Sequence, residues 1–171
     1  MSRPVSNSDL PKVALFKGRG FVSSLIQWQT RSIYSHAAIW LPGTERTVIE
    51  SREFAGVREH EYSAEEWDAV DLFDVVGSDN LTWQIALGFA RAQLGMPYDY
   101  WSVARFLSKR PARENGKWFC SELVHKALSA AGIRLLARIP SAEVSPGELA
   151  VSPLLLGASD DIPAFMLLNR N

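Results

Sequence analysis

The sequence predicts an α+β domain. Three observations carry that prediction: short β-rich runs bounded by turn residues, amphipathic segments at helical spacing that stop at glycine, and a bulk composition ordinary for one globular unit. The 171 residues are 47% hydrophobic and 22% charged, enough chain to bury a core without disulfides or metals.

Residues 13–16 form the first β-rich run, closed by the Gly18-Arg19-Gly20 turn. Phe21, Val22, Leu25, Ile26 and Gln29 then fall at helical spacing and predict a short helix over 21–30. Residues 35–41 are apolar and β-competent, Pro42-Gly43 signals a turn, and residues 47–50 resume the strand pattern, which together predict a hairpin. Ser63 with Glu66 three residues on has the form of a capping box, the start of a short helix. Residues 70–76 alternate as a strand before Gly77. Trp83, Ala86, Leu87, Ala90 and Leu94 share one face of a helix predicted over 82–94 and stopped by Gly95.

A turn over 96–100 leads to a second helical stretch, 101–107, and then to a polar, basic loop over 108–117. The last strong helix is predicted over 120–131, with Leu123, Val124, Ala127 and Leu128 as its apolar stripe and Gly132 as its stop. Beyond Pro140 the Ser, Pro and Gly content rises, and residues 163–168 make a final β-like run. No repeat, low-complexity tract or linker divides the chain. The expectation is a single domain over 1–171, with residues 1–11 as a loosely ordered N-terminal segment.

Several function classes are set aside by composition. Eighteen basic against nineteen acidic side chains give a formal net charge of −1, which does not suit a general nucleic-acid binder. One cysteine excludes an internal disulfide and makes a reducing, cytoplasmic setting the default expectation. Residues 1–11 have no apolar signal core, and no run approaches the roughly 18 apolar residues of a membrane span, so the expected protein is soluble. No close His/Cys pairs suit zinc, no phosphate-cradling Gly-Lys-Ser/Thr loop occurs, and Gly-x-Ser-x-Gly is absent. Neither a metal nor a cofactor is expected.

A lone cysteine is as a rule a small buried hydrophobe. Cys120, however, opens a helix after Trp118-Phe119, where backbone N–H groups and the helix dipole favour a thiolate and could hold an oxyanion. It shares a face with Leu123 and Val124, a geometry that serves a core cysteine equally well. A thiol nucleophile also needs a base and a group to orient it. His125 lies about 140° around the helix from Cys120, and His60 sits in the charged Arg58-Glu-His-Glu61 stretch. His36 begins an apolar strand among small neighbours, although by itself it fits a satisfied structural histidine better than a base.

Glu50 ends the apolar run Thr47-Val48-Ile49, an unusual place for a carboxylate. A hairpin paired about Gly43 sets residue 36 directly opposite residue 50, on one face; a one-residue slip opposes His36 to Ser51 instead. Glu53 is the reserve candidate. Tyr98 either lines a cleft at the thiol or packs behind the Gly-Met-Pro turn. Arg105, Lys109, Arg110, Arg113 and Lys117 make the stretch before Cys120 basic, either to attract an anionic substrate or simply as a solvated loop.

The ordered segments Phe16-Lys-Gly-Arg-Gly, Tyr34-Ser-His36-Ala-Ala-Ile, Val48-Ile-Glu50, Leu94-Gly-Met-Pro-Tyr-Asp99 and Trp118-Phe-Cys120-Ser-Glu-Leu-Val124 resemble the circularly permuted NlpC-type (YiiX-like) papain-fold cysteine hydrolases. That group is related to the lecithin:retinol acyltransferase family. The resemblance spans roughly residues 12–155, including Ser145-Pro-Gly-Glu-Leu, and departs from the family at Pro11-Lys12, where members often carry Gly-Asp. It implies a papain-like domain with a small antiparallel sheet or open barrel packed on helices. It also implies Cys120 as nucleophile, His36 as base, Glu50 as the orienting residue and Tyr98 in the substrate cleft. The substrate so implied is a peptide amide of the cell-wall or small-peptide kind, cleaved through an acyl-enzyme. The acyltransferase relatives suggest an acyl-lipid or N-acyl amino acid instead, and a catalytically silent binding module with the same fold is the third alternative.

Overall fold

The structure, a computed structural model, describes residues 10–18, 31–100 and 117–157. Six strands form one open sheet: β1 (Lys12–Phe16), β2 (His36–Trp40), β3 (Thr47–Arg52), β4 (Gly56–Glu61), β5 (Val70–Val75) and β6 (Leu155–Gly157). Their spatial order is β4-β3-β2-β1-β5-β6, and every neighbouring pair is antiparallel. The helices are α1 (Ala64–Trp67), α2 (Asn80–Ala92), α3 (Cys120–Ala130) and α4 (Pro146–Ala150). The predicted α+β class, a small antiparallel sheet packed on helices, is the class observed.

Alternation along the strands divides the core in two. Val13, Leu15, Ala37, Ile39, Ile49 and Val57 face the helices, where Trp83, Ala86 and Ala90 of α2 and Leu123, Val124, Ala127 and Leu128 of α3 complete the larger cluster. Ala14, Phe16, Ala38, Val48 and Tyr62 form a smaller cluster on the opposite face. The predicted apolar stripe of α3 is buried throughout. Leu10, at the end of the predicted loose N-terminal segment, belongs to the larger cluster, and Pro11 is buried.

Four expectations need correction or lie elsewhere. The β2–β3 hairpin pairs Ala38 with Glu50, not residue 36 with residue 50. Its turn is centred one residue later than Gly43, because Thr44 Oγ1 donates to the Leu41 carbonyl at 2.7 Å and accepts from the Thr47 N–H at 3.3 Å. The resulting displacement is two residues, so His36 and Glu50 keep the same face, which a one-residue slip would have destroyed. Arg58-Glu-His-Glu61, noted only as a charged stretch, belongs to the edge strand β4, where Glu59 and Glu61 are exposed; charged side chains there block further pairing. Helix α2 starts at Asn80, capped by Asp79, and ends at Ala92, so Leu94 leaves the packed face and is 43% exposed. The predicted helices over 21–30 and 101–107, most of the basic loop and the run 163–168 lie outside the described residues.

The capping box of Ser63 and Glu66 is present, and Ser145 with Glu148 forms a second one at α4. Gly56 has φ +71, and a Cβ there would collide with the Met96 carbonyl oxygen. That close approach lets the Val57 N–H donate to Met96 and the Gly95 N–H donate to Val57, both at 2.9 Å. The segment bearing Tyr98 is thereby tied to the edge of β4.

Candidate active site

Cys120 is the first residue of α3. The residue before it, Phe119, is extended and makes no side-chain cap, so the positive end of the helix dipole faces the thiol. The approach to the helix is pinned from several sides. Ser51 Oγ donates to the Trp118 carbonyl at 2.7 Å, the Asp99 N–H donates to the same carbonyl at 3.0 Å, and the Trp118 N–H donates to Pro97 at 3.1 Å. Tyr98 and Trp118 form an isolated parallel bridge. Tyr98, Phe119 and Cys120 consequently make one small buried cluster, in which Cys120 is 1% exposed.

His36 is the first residue of β2 and 8% exposed, with its ring edge-on to Phe16 at 5.1 Å. Its Nε2 lies 2.6 Å from Glu50 Oε2. Cys120 is a hydrogen-bond and charge partner of the same imidazole, which leaves Nδ1 as the nitrogen toward the thiol. Burial alone would lower the His36 pKa; the charge and hydrogen bond of Cys120, followed by those of Glu50, overcome it and raise the value to about 9. The raised His36 and lowered Glu50 values favour an imidazolium held against an ionised carboxylate.

Glu50, wholly buried, is the best-connected side chain of the site. Tyr62 Oη donates to its Oε2 at 2.6 Å, while Arg58 holds its Oε1 through Nε at 3.0 Å and Nη2 at 2.9 Å. Burial would push the Glu50 carboxyl up, but the hydrogen bond and charge of His36, helped by Tyr62 and Arg58, bring it down to about 2. Arg52 Nη1 in turn donates to Tyr62 Oη at 3.0 Å, which directs the phenolic hydrogen at Glu50.

Cys120, His36, Glu50 and Tyr98 are thus brought to one place. Glu53, the reserve carboxylate, pairs instead with Arg52 at 3.8 Å. His60 packs its ring on Tyr62 at 4.7 Å. His125 accepts from the Leu136 N–H at Nε2, so its Nδ1 donates to Ser141 Oγ at 2.7 Å; burial lowers its pKa. It ties α3 to the segment after it. Sequence reasoning missed Arg58, Tyr62 and Arg52. The available signal was period two: once 56–61 is a strand, Arg58 and Tyr62 fall on the face of its partner Glu50.

Beside His36 opens a cavity of about 470 Å³, whose walls include Phe16, Lys17, Ser35, Arg52, Tyr62 and Glu65. Cys120 does not line it.

The open antiparallel sheet packed on helices is a fold of the YiiX-like kind. The crystal structure of metalloprotein yiiX from Escherichia coli O157:H7, a DUF1105 protein, superposes with a TM-score of 0.64 at 21% identity, covering 91% of this chain and 98% of that one. At that identity the likeness shows the fold alone. Comparison with protein-family models and with curated proteins finds no match. That structure is of a metalloprotein. Among the described residues of this chain, no group of three or more His, Cys, Asp or Glu is placed to hold a metal, and His36 has both ring nitrogens engaged by Glu50 and Cys120. These described residues do not fit a metal centre. No helix among the described residues is long and apolar enough to cross a membrane.

Proposed function

We propose that the chain is a cysteine hydrolase of the permuted NlpC type that cleaves an amide bond through an acyl-thioester on Cys120. The observation that carries the reading is an imidazole clamped between a helix-start thiol and a wholly buried carboxylate. In the proposed cycle the Cys120 thiolate attacks the amide carbonyl carbon. The C–S bond forms, the C–N bond breaks, and the His36 imidazolium gives its proton to the departing amine. Water then attacks the thioester while His36 takes its proton; the thiolate leaves and the carboxylic acid is released. Glu50 stays ionised and fixes the ring. The N-terminus of α3 stabilises the oxyanion.

A peptide amide of the cell-wall or small-peptide kind is the preferred substrate, by the resemblance to NlpC-type enzymes. One observation favours acyl-lipids or N-acyl amino acids, as in the acyltransferase relatives: a row of rings leads outward from the cysteine. Tyr98 stacks edge-on to Tyr100 at 5.1 Å, and Tyr100 meets Phe54 at 5.9 Å, where Phe54 is 97% exposed. The near-complete burial of Cys120 favours the third alternative, a silent module retaining the fold. A single reduced cysteine supports action in a reducing, cytoplasmic setting.

Iodoacetamide labelling from pH 5 to 10 tests the enzymatic reading. Cys120 is expected to react faster than a free thiol near neutral pH and to lose that advantage in His36→Ala. Equal rates for protein and free thiol, unchanged in the variant, would sink it. Turnover of a panel of peptide amides and N-acyl amides separates the two substrate classes.

A further inference from the structure

We infer that Arg58 and Tyr62 are positioning residues for the His36–Cys120 pair, acting through Glu50. The inference rests on the enzymatic reading above and adds two side chains that the resemblance does not supply. A carboxylate has about four acceptor sites. On Glu50, His36 and Tyr62 share Oε2 at 2.6 Å each, and Arg58 takes Oε1 with two nitrogens. Every face of the carboxylate is therefore held, and the hydrogen bond to His36 has one orientation.

The same contacts compete with His36 for the carboxylate's charge. A full cation and a neutral donor on one acid draw electron density away from the imidazolium, so the pull of Glu50 on His36 is tempered. Arg58 sits opposite Glu50 in the β3–β4 register, and Tyr62 follows β4 directly, so both positions are set by the sheet. Arg52 orients the Tyr62 hydroxyl from the far side. Tyr62 is held neutral, its pKa raised by burial and then by the charge of Glu50.

Among the described residues, the charged and titratable groups around His36 come from several elements. Cys120 comes from α3, Glu50 and Arg52 from β3, and Arg58 with Tyr62 from β4 and its end. Across the cavity stand Lys17, Glu65, Glu66 and Asp68. Lys17 is paired with Asp71, and Glu66 is engaged by Ser63. Among the described residues, His36, Tyr62 and Arg58 are the side chains shown holding the Glu50 carboxylate.

The test is the titration of the three histidine rings by NMR in the full chain, in wild type, Arg58→Met, Arg58→Lys and Tyr62→Phe. The His36 midpoint is expected to rise by about one pH unit in Arg58→Met and by about half as much in Tyr62→Phe, returning toward wild type in Arg58→Lys. The midpoint of His125, held by Ser141 and Leu136 away from this network, stays in place. A His36 midpoint equal to wild type in both folded variants overturns the inference, as does a fall toward that of a free histidine. Should Arg58→Met fail to fold, the near-isosteric Tyr62→Phe decides alone by the same readout. Failure of the enzymatic reading looks different, since it appears in wild type as Cys120 alkylating no faster than a free thiol.

Discussion

The two faces of the sheet are built from the same strands yet do opposite work. Toward α2 and α3 the strands present Val13, Leu15, Ala37, Ile39 and Ile49, all apolar and closed on the helices. On the other face the same strands present Phe16, Ala38 and Val48, interrupted by His36, Glu50 and Tyr62. The first face gains stability from area and close packing, which tolerates changes of side chain at constant volume. The second is buried but polar, and holds together only while each member keeps its partner. Ile49 and Glu50, one residue apart in β3, are equally inaccessible and belong to different faces.

That adjacency gives the sharpest test. Glu50→Ala should destabilise by about 3–5 kcal/mol in urea denaturation, because it strands a buried imidazole and the Arg58 guanidinium, and should abolish any enhanced alkylation of Cys120. Ile49→Ala should lose about 2–4 kcal/mol by cavity formation while leaving the pH profile of alkylation unchanged. A shifted profile in Ile49→Ala would break the distinction between the faces. Gly56→Ala combines a left-handed backbone with the Met96 oxygen in the path of a Cβ, and should lose about 1–3 kcal/mol by the same denaturation measurement.

Smaller effects come from pH, with opposite signs at the two buried histidines. His36 has its pKa raised from 6.5 to about 9, so its contribution to stability is complete below 6.5 and disappears as pH rises through about 9. Glu50 is lowered from 4.5 to about 2, and its contribution is complete above 4.5 and lost as pH falls toward 2. His125 is lowered by burial, so its contribution is present above 6.5 and lost on acidification. Melting temperatures across pH should therefore show a flattened alkaline limb in His36→Gln and a flattened limb just below pH 6.5 in His125→Asn. The same limb flattening in both variants would contradict the assignment.

Much of this architecture could be read from residue patterns because apolar alternation and caps are local signals. The strands at 12–16, 36–40 and 70–75 and the capping box at Ser63 follow directly from them. Strand β4 escaped because its alternation is between charged residues at a sheet edge, where burial leaves no apolar trace. The hairpin register missed by two because the Thr44 hydroxyl, not Gly43, organises the turn. Cys120, His36 and Glu50 were visible as residue types in an ordered resemblance. Arg58 and Tyr62 were not, since nothing marks them until β4 is paired with β3 and Glu50 acquires neighbours.

The hairpin has a consequence for how the site comes into being. His36 and Glu50 are 14 residues apart, joined by a compact turn, and their contact can form as soon as β2 meets β3. Cys120 arrives on a helix far along the chain, beyond α2 and the segment that is tied to β4. Contacts of long sequence separation carry the larger loop-closure entropy and form late. The His36–Glu50 contact is thus a local one, whereas the meeting of Cys120 with His36 needs nearly the whole domain to be closed around it.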